Sequence, residues 1–179
     1  MKYIGVKDDQ IMLAGISEQS LVNGPGLRKV YFSQGCNHHC KNCFNPETWQ
    51  FGGGKIISIK TLIKTLKEER GYLDGITFSG GDPVEQADKF IPIAKAAHGM
   101  GLNIWSWTGY TWEELMNKAK KEKVIKEYLE NIDVLVDGRY DYKLHTEEYK
   151  YRGSSNQRII DVVASLKNKE LVVITKFNP

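Results

Sequence analysis

Three cysteines, Cys36, Cys40 and Cys43, stand within one eight-residue window, and the chain has no others. An odd number of thiols cannot pair off within one chain, and a disulfide scaffold would spread them along it. Thiolates are soft ligands that favour zinc, Cu(I) or iron–sulfur clusters. The CxxxCxxC spacing therefore describes one soft-metal site with a coordination position left open. Two fillings remain. Structural zinc wants four protein ligands, and His38 or His39 could supply the fourth, although both lie inside the first cysteine gap, where the chelate would be cramped. A cubane 4Fe–4S cluster takes three corners from the thiolates and needs no fourth side chain if a substrate occupies the remaining iron.

Other segments could assist. In Ser79-Gly80-Gly81-Asp82-Pro83 the glycines let the backbone approach a ligand closely, and exposed carbonyls can accept from an ammonium group. The same residues also make an ordinary strand-to-helix turn. Asn23-Gly24-Pro25-Gly26 is a turn followed closely by a cation, Arg28, suited to an anionic ligand. Trp105-Ser106-Trp107-Thr108-Gly109-Tyr110 gathers aromatic rings, Asp137-Gly138-Arg139 offers an acid and a base, and Arg152–Arg158 reads as a polar loop leading into a helix.

The elements that must position these groups alternate. Strands are expected at 11–16, 29–33, 75–81, 102–107, 132–136 and 171–175. Helices are expected at 58–70, 84–98, 112–130 and near 157–166. Ser58 is the expected cap of the first helix, and Thr111 with Glu114 forms a capping-box pattern at the third. Strand–helix–strand repetition implies an α/β fold with parallel strands and right-handed crossovers. A complete eightfold barrel takes about 250 residues, so 179 residues suit an incomplete, open-sided (β/α) barrel or an open sheet, in a single domain over 1–179. In either, reactive groups belong on loops after the carboxyl ends of strands. The cysteine loop 35–49, the GGDP turn, the Thr108-Gly109-Tyr110 loop and the Asp137-Gly138-Arg139 turn all follow expected strands on the same edge, which argues for one site.

Composition sets the remaining bounds. Hydrophobic residues make up 41% and charged residues 26%, which is globular rather than disordered. Mean hydropathy is −0.43, no apolar run is long enough for a membrane span, and the N-terminus lacks a signal pattern, so a cytoplasmic protein is expected. A net charge of +3 is too small to argue for nucleic acid.

The cysteine spacing after a strand, followed by a Gly-Gly-acid-Pro turn after the next, resembles the radical S-adenosylmethionine superfamily. The Asn23–Arg28 stretch resembles its glycyl-radical activating enzymes, with Asn23 where Asp is usual. FNPETW (44–49), WTGYTWEEL (107–115), DVLVDGRY (133–140) and RGSSNQR (152–158) together resemble the activases of anaerobic ribonucleoside-triphosphate reductase. The resemblance covers roughly residues 10–166. It implies that Cys36, Cys40 and Cys43 hold one 4Fe–4S cluster and that S-adenosyl-L-methionine chelates the open iron. It further implies cofactor contacts from Asn42, Cys43 and Phe44, from Ser79, Gly80, Gly81 and Asp82, and from Asp137 and Arg139. The implied reaction is formation of a glycyl radical on the reductase after reductive cleavage of S-adenosylmethionine, with reduced flavodoxin or a similar electron donor, and with neither nucleic acid nor membrane as partner. Asn42 departs from the family pattern, since an aromatic residue often precedes the third cysteine. An adenine motif found in other superfamily members is not recognisable. A sibling activase for pyruvate formate-lyase, a small-molecule radical enzyme and a non-catalytic zinc-binding module are the competing readings.

Overall fold

The computed structural model describes Tyr3 and residues 5–178; Met1, Lys2, Ile4 and Pro179, at the limits of the expected domain, lie outside the described residues. Seven strands form one sheet: β1 (Gln10–Ser20), β2 (Arg28–Ser33), β3 (Lys55–Ser58), β4 (Gly75–Gly80), β5 (Asn103–Trp107), β6 (Val134–Asp137) and β7 (Arg158–Asp161). Five helices accompany them: α1 (Ile59–Glu69), α2 (Ala87–Gly99), α3 (Trp112–Ala119), α4 (Lys123–Glu130) and α5 (Val162–Asn168). The spatial order is β3-β1-β2-β4-β5-β6-β7. The fold is thus a mixed α/β single sheet.

Only β2, β4, β5 and β6 run parallel; β1, β3 and β7 are antiparallel to their neighbours. The reason lies in the connections. Parallel neighbours need a crossover of a dozen or more residues, usually a helix. Helices link β2 to β4 (α1), β4 to β5 (α2), and β5 to β6 (α3 and α4), whereas β1 joins β2, and β6 joins β7, through segments that hold no α-helix.

Strand alternation sorts the apolar residues onto two faces. Ile104, Leu135 and Ile160 join the main core with Leu66 of α1, Phe90 and Ile93 of α2, Leu115 of α3, Tyr128 of α4 and Val162 of α5. Their strand neighbours Trp105, Val136 and Ile159 form a second cluster on the other face, with Trp107, Tyr151, Ile174 and Phe177 against it. All five helices therefore cover one face, and the second cluster marks the opposite one.

Three expectations are corrected here. The helix expected over 112–130 is two helices, α3 and α4, separated at 120–122. On one continuous helix at about 100° per residue, Ile125 and Tyr128 would point away from the face that carries Trp112 and Leu115. The break lets both halves bury their apolar sides. The helix expected near 157–166 starts later: Arg158–Asp161 is strand β7, and Asp161 caps α5 by accepting from the Ala164 N–H at 2.8 Å. A short apolar run such as Ile159-Ile160 does not by itself distinguish strand from helix. The strand expected at 171–175 is reduced to an isolated bridge between Val173 and Ile160. The cap at Thr111 does form with both reciprocal bonds of the capping box, whereas Ser58 precedes α1 without a side-chain capping bond.

Candidate functional site

The cysteine loop leaves the carboxyl end of β2 and is pinned at both ends by backbone bonds. Gly35 N–H donates to the Thr48 carbonyl at 2.8 Å, and Cys36 N–H to the Trp49 carbonyl at 3.1 Å. The neighbouring turn is stitched on through Gly81 N–H to the Ser33 carbonyl and Asp82 N–H to the Gly35 carbonyl, both at 2.8 Å. Beneath, the buried amide of Gln86 donates to the Met12 carbonyl at 2.7 Å and to the Ser33 hydroxyl at 3.0 Å. Position 42 adopts φ 57°, a left-handed conformation that Asn tolerates far better than a bulky ring, which accounts for the departure at Asn42.

One backbone amide points at a sulfur: Cys43 Sγ accepts from the Asn45 N–H at 3.4 Å. Such bonds tune the potential of thiolate-held clusters. Burial pushes the Cys36 thiol up to about 12 and also raises that of Cys40, so both stay protonated near neutrality until a metal displaces the proton.

All three cysteines line one cavity of about 570 Å³. Three soft thiol donors on one cavity are the donor type that iron–sulfur clusters take. Ser79, Gly80 and Gly81 line the same cavity, as does Phe44. Gly80 has φ +96°, and a Cβ there would meet the Ser33 backbone at 2.6 Å, so the turn requires glycine. Trp107, Thr108 and Gly109 from the β5 loop, and Gly138 and Tyr140 after β6, complete the lining from the sheet edge. Arg152, Gly153 and Gln157 of the RGSSNQR segment line it as well. There the Gln157 side chain braces the loop, accepting from Gly153 N–H at 2.9 Å and donating to the Gly138 carbonyl at 2.9 Å.

Other expected contacts lie outside the lining. Asp82 is fully buried, and its carboxylate accepts from Val84 N–H, the Thr108 hydroxyl, Gly109 N–H and His38. Asp137 is 1% exposed; it accepts from Trp112 N–H at 2.7 Å and pairs with Arg158 at 2.5 Å. Arg139 reaches outward to Glu114 at 3.4 Å. Arg28 is buried, donating to Thr77 at 2.8 Å and to the carbonyls of Pro25, Ile76 and Asn103, with its guanidinium 5.8 Å from the Trp105 ring centroid. Burial without a bonded carboxylate lowers its pKa from 12.5 to about 10. Asn23 lines the cavity, and its backbone carbonyl is held by the Thr77 hydroxyl at 2.7 Å. These acids and bases were singled out by their types. Apart from Val84 and Pro25, the bonded partners of their side chains lie 21 to 75 residues away, which no local pattern discloses. Sequence reading passed over Tyr140, Tyr149, Tyr151 and Trp49 as wall residues, and His38 except as a zinc ligand. The aromatic richness of 140–151 was the available signal.

The family model described as a 4Fe-4S single cluster domain matches residues 22–160. Relatives carry the name anaerobic ribonucleoside-triphosphate reductase-activating protein. That of Enterobacteria phage T4 is 36% identical over 144 residues, covering 77% of this chain and 86% of that protein. That of Salmonella typhimurium is 36% identical over 144 residues, covering 76% and 90%, and the Escherichia coli K12 protein matches to the same extent. Among solved structures, QueE from Escherichia coli superposes with a TM-score of 0.45 at 14% identity, over 57% of this chain and 54% of that one. With the cysteine loop, its glycine turn and this extent of likeness together, the chain belongs to the 4Fe-4S single cluster domain family and, within it, to the family of anaerobic ribonucleoside-triphosphate reductase-activating proteins.

Proposed function

We propose that this chain is an oxidoreductase that installs a glycyl radical on anaerobic ribonucleoside-triphosphate reductase, using a 4Fe–4S cluster and S-adenosylmethionine. One observation carries the reading: Cys36, Cys40 and Cys43 share a single cavity with the glycine turn Ser79-Gly80-Gly81. Held by Cys36, Cys40 and Cys43, the cluster would supply the one-electron reducing chemistry that S-adenosylmethionine needs to initiate hydrogen removal from the target glycine.

The chain's own residues bind, orient and shield. The three thiols each give up a proton to hold iron, leaving the fourth corner free of side chains. Carbonyls of the Ser79–Gly81 turn accept from the ammonium of the cofactor, which the absence of side chains on Gly80 and Gly81 permits. Cys43 and Phe44, which line the cavity, border the adenosine end, whereas Asn42 lies outside the lining. Asp82, Asp137 and Arg139 serve the frame rather than the ligand, since their partners belong to the protein. The aromatic wall of Trp107, Tyr140 and Tyr151 excludes water from the radical. We read the sheet as an open-sided barrel whose helix-free face receives the reductase's glycine segment. Reduced flavodoxin or a similar cytoplasmic donor would supply the electron. Among the described residues, no helix is long and apolar enough to cross a membrane.

The test is anaerobic. Reconstituted protein should bind about four irons and four sulfides, cleave S-adenosylmethionine with reductant, and produce a glycyl radical signal by electron paramagnetic resonance when mixed with the reductase. A colourless protein holding one zinc, or cleavage without any radical on the reductase, would overturn the reading.

A further inference from the structure

Asp82 binds four groups of the protein at once. Val84 N–H donates to Oδ1 at 3.0 Å. On Oδ2 converge the Thr108 hydroxyl at 2.9 Å, Gly109 N–H at 3.0 Å and His38 Nε2–H at 2.7 Å. Those donors come from three segments: the residues just after the glycine turn, the loop after β5, and the cysteine loop.

His38 is the cysteine loop's contribution, and its ring has little freedom. Its side chain is 4% exposed. The Tyr110 ring meets it edge-on at 4.5 Å between centroids, and the Tyr110 hydroxyl is itself tied to Glu85 at 2.7 Å. On another side lies Gly109, where a Cβ would stand 2.3 Å from the imidazole, so the ring occupies the place of a missing side chain. His38 also stands only two residues after Cys36 along the chain. One residue thus lies beside the first thiol along the main chain and grips Asp82, next to the two glycines, by its side chain.

We infer that His38 and Asp82 form a latch holding the Cys36 thiolate in register with the Gly80–Gly81 turn, which makes His38 a positioning residue for the proposed cleavage of S-adenosylmethionine. This rests on the function proposed above. Three thiols suffice to hold a cluster, so the latch acts on the spacing between cluster and bound cofactor, on which electron transfer depends. It also sets the path of the backbone beside Cys36, and the hydrogen bonding and solvent exposure around that sulfur are levers on cluster potential.

The experiment compares wild type, His38→Phe and His38→Gln as anaerobically reconstituted full-length chains. Phe keeps a ring without a donor; Gln restores an N–H close to the position of Nε2. Wild type first reports on the function itself: without cluster and cleavage, that reading falls irrespective of the latch. With wild type active, H38F should retain wild-type iron and sulfide, with a lowered urea midpoint because buried Asp82 loses a donor. With the turn no longer held in register, it should bind S-adenosylmethionine about tenfold more weakly. The resonance spectrum of its reduced cluster should respond less to added S-adenosylmethionine, and its midpoint potential should shift. H38Q should recover most of each change. The latch is overturned if H38F binds and responds as wild type does, if H38Q is no better than H38F, or if H38F loses iron in proportion to activity. Gly109→Ala, which displaces the ring while leaving His38 in place, should reproduce the H38F behaviour even if His38 variants fold poorly; normal binding in it would also count against the latch.

Discussion

At the scale of single residues, burial and bonding separate groups that touch a ligand from groups that hold the site together. On the function proposed above, the three cysteines belong to the first kind. Replacing any one of Cys36, Cys40 or Cys43 by Ala should abolish S-adenosylmethionine cleavage and lower the iron bound on reconstitution, and a fully active single variant would remove that residue from the ligand set. Gly81 belongs to both kinds. A Cβ there would meet the Gly35 carbonyl oxygen at 2.5 Å and the Thr48 carbonyl oxygen at 3.0 Å, the two backbone groups that clamp the cysteine loop. Gly81→Val should therefore reduce iron incorporation as well as cofactor affinity; weakened affinity with full iron content would show that the clamp yields. The clustering of the thiols was legible from their spacing. The bonding of Asp82 was not, because Thr108, Gly109 and His38 lie 26 to 44 residues away from it.

At the scale of elements, the loops of the site are held by helices and strands whose contacts are ionic as well as apolar. The α3 helix is tied to β6 and β7 by Arg158, which pairs with Glu113 at 2.8 Å and with buried Asp137 at 2.5 Å. The bond from Arg158, more than any other influence, lowers the Glu113 carboxyl from 4.5 to about 2. A carboxyl depressed in the folded state adds stability above its ordinary pKa and loses it as pH falls toward the folded value. The contribution of Glu113 is therefore present above about pH 4.5 and fades toward pH 2. Its side chain is 60% exposed, so salt screens the effect and its size is small. Thermal melts should show Glu113→Gln flattening the acid limb of the stability curve in that window, and a Gln variant with an unchanged limb would assign the loss to other carboxyls. The capping box at Thr111 was readable because its residues are three apart. The α3–α4 break was readable in principle, since the apolar residues of 112–119 and 124–129 do not share one helical face.

At the scale of the whole molecule, the C-terminal segment joins the helix-free face. Phe177 packs at 5.8 Å from Trp105 and 5.1 Å from Tyr151, ring centre to ring centre, and Ile174 N–H donates to the Ile159 carbonyl at 2.7 Å. This segment lies beyond the residues that the family model matches, yet it backs Tyr151, a wall residue of the cavity. Phe177→Ala should cost about 1–2 kcal/mol, less than the 3–5 kcal/mol of a fully enclosed ring, read as a lowered urea midpoint with unchanged slope. An unaltered midpoint would mean that the segment adds nothing to the fold.

The amino-acid sequence by itself determined the cluster of cysteines, the glycine turn that shares its cavity, the order of most strands and helices, and the edge on which the loops gather. Each of these rests on short-range rules: ligand spacing, side-chain periodicity, capping and turn chemistry. Only the tertiary structure decided which strands reverse, that Arg158–Asp161 is a strand, and that Asp82, Asp137 and Arg28 spend their hydrogen bonds on the protein. Those outcomes depend on partners far apart along the chain, brought together when burial makes every polar group find one.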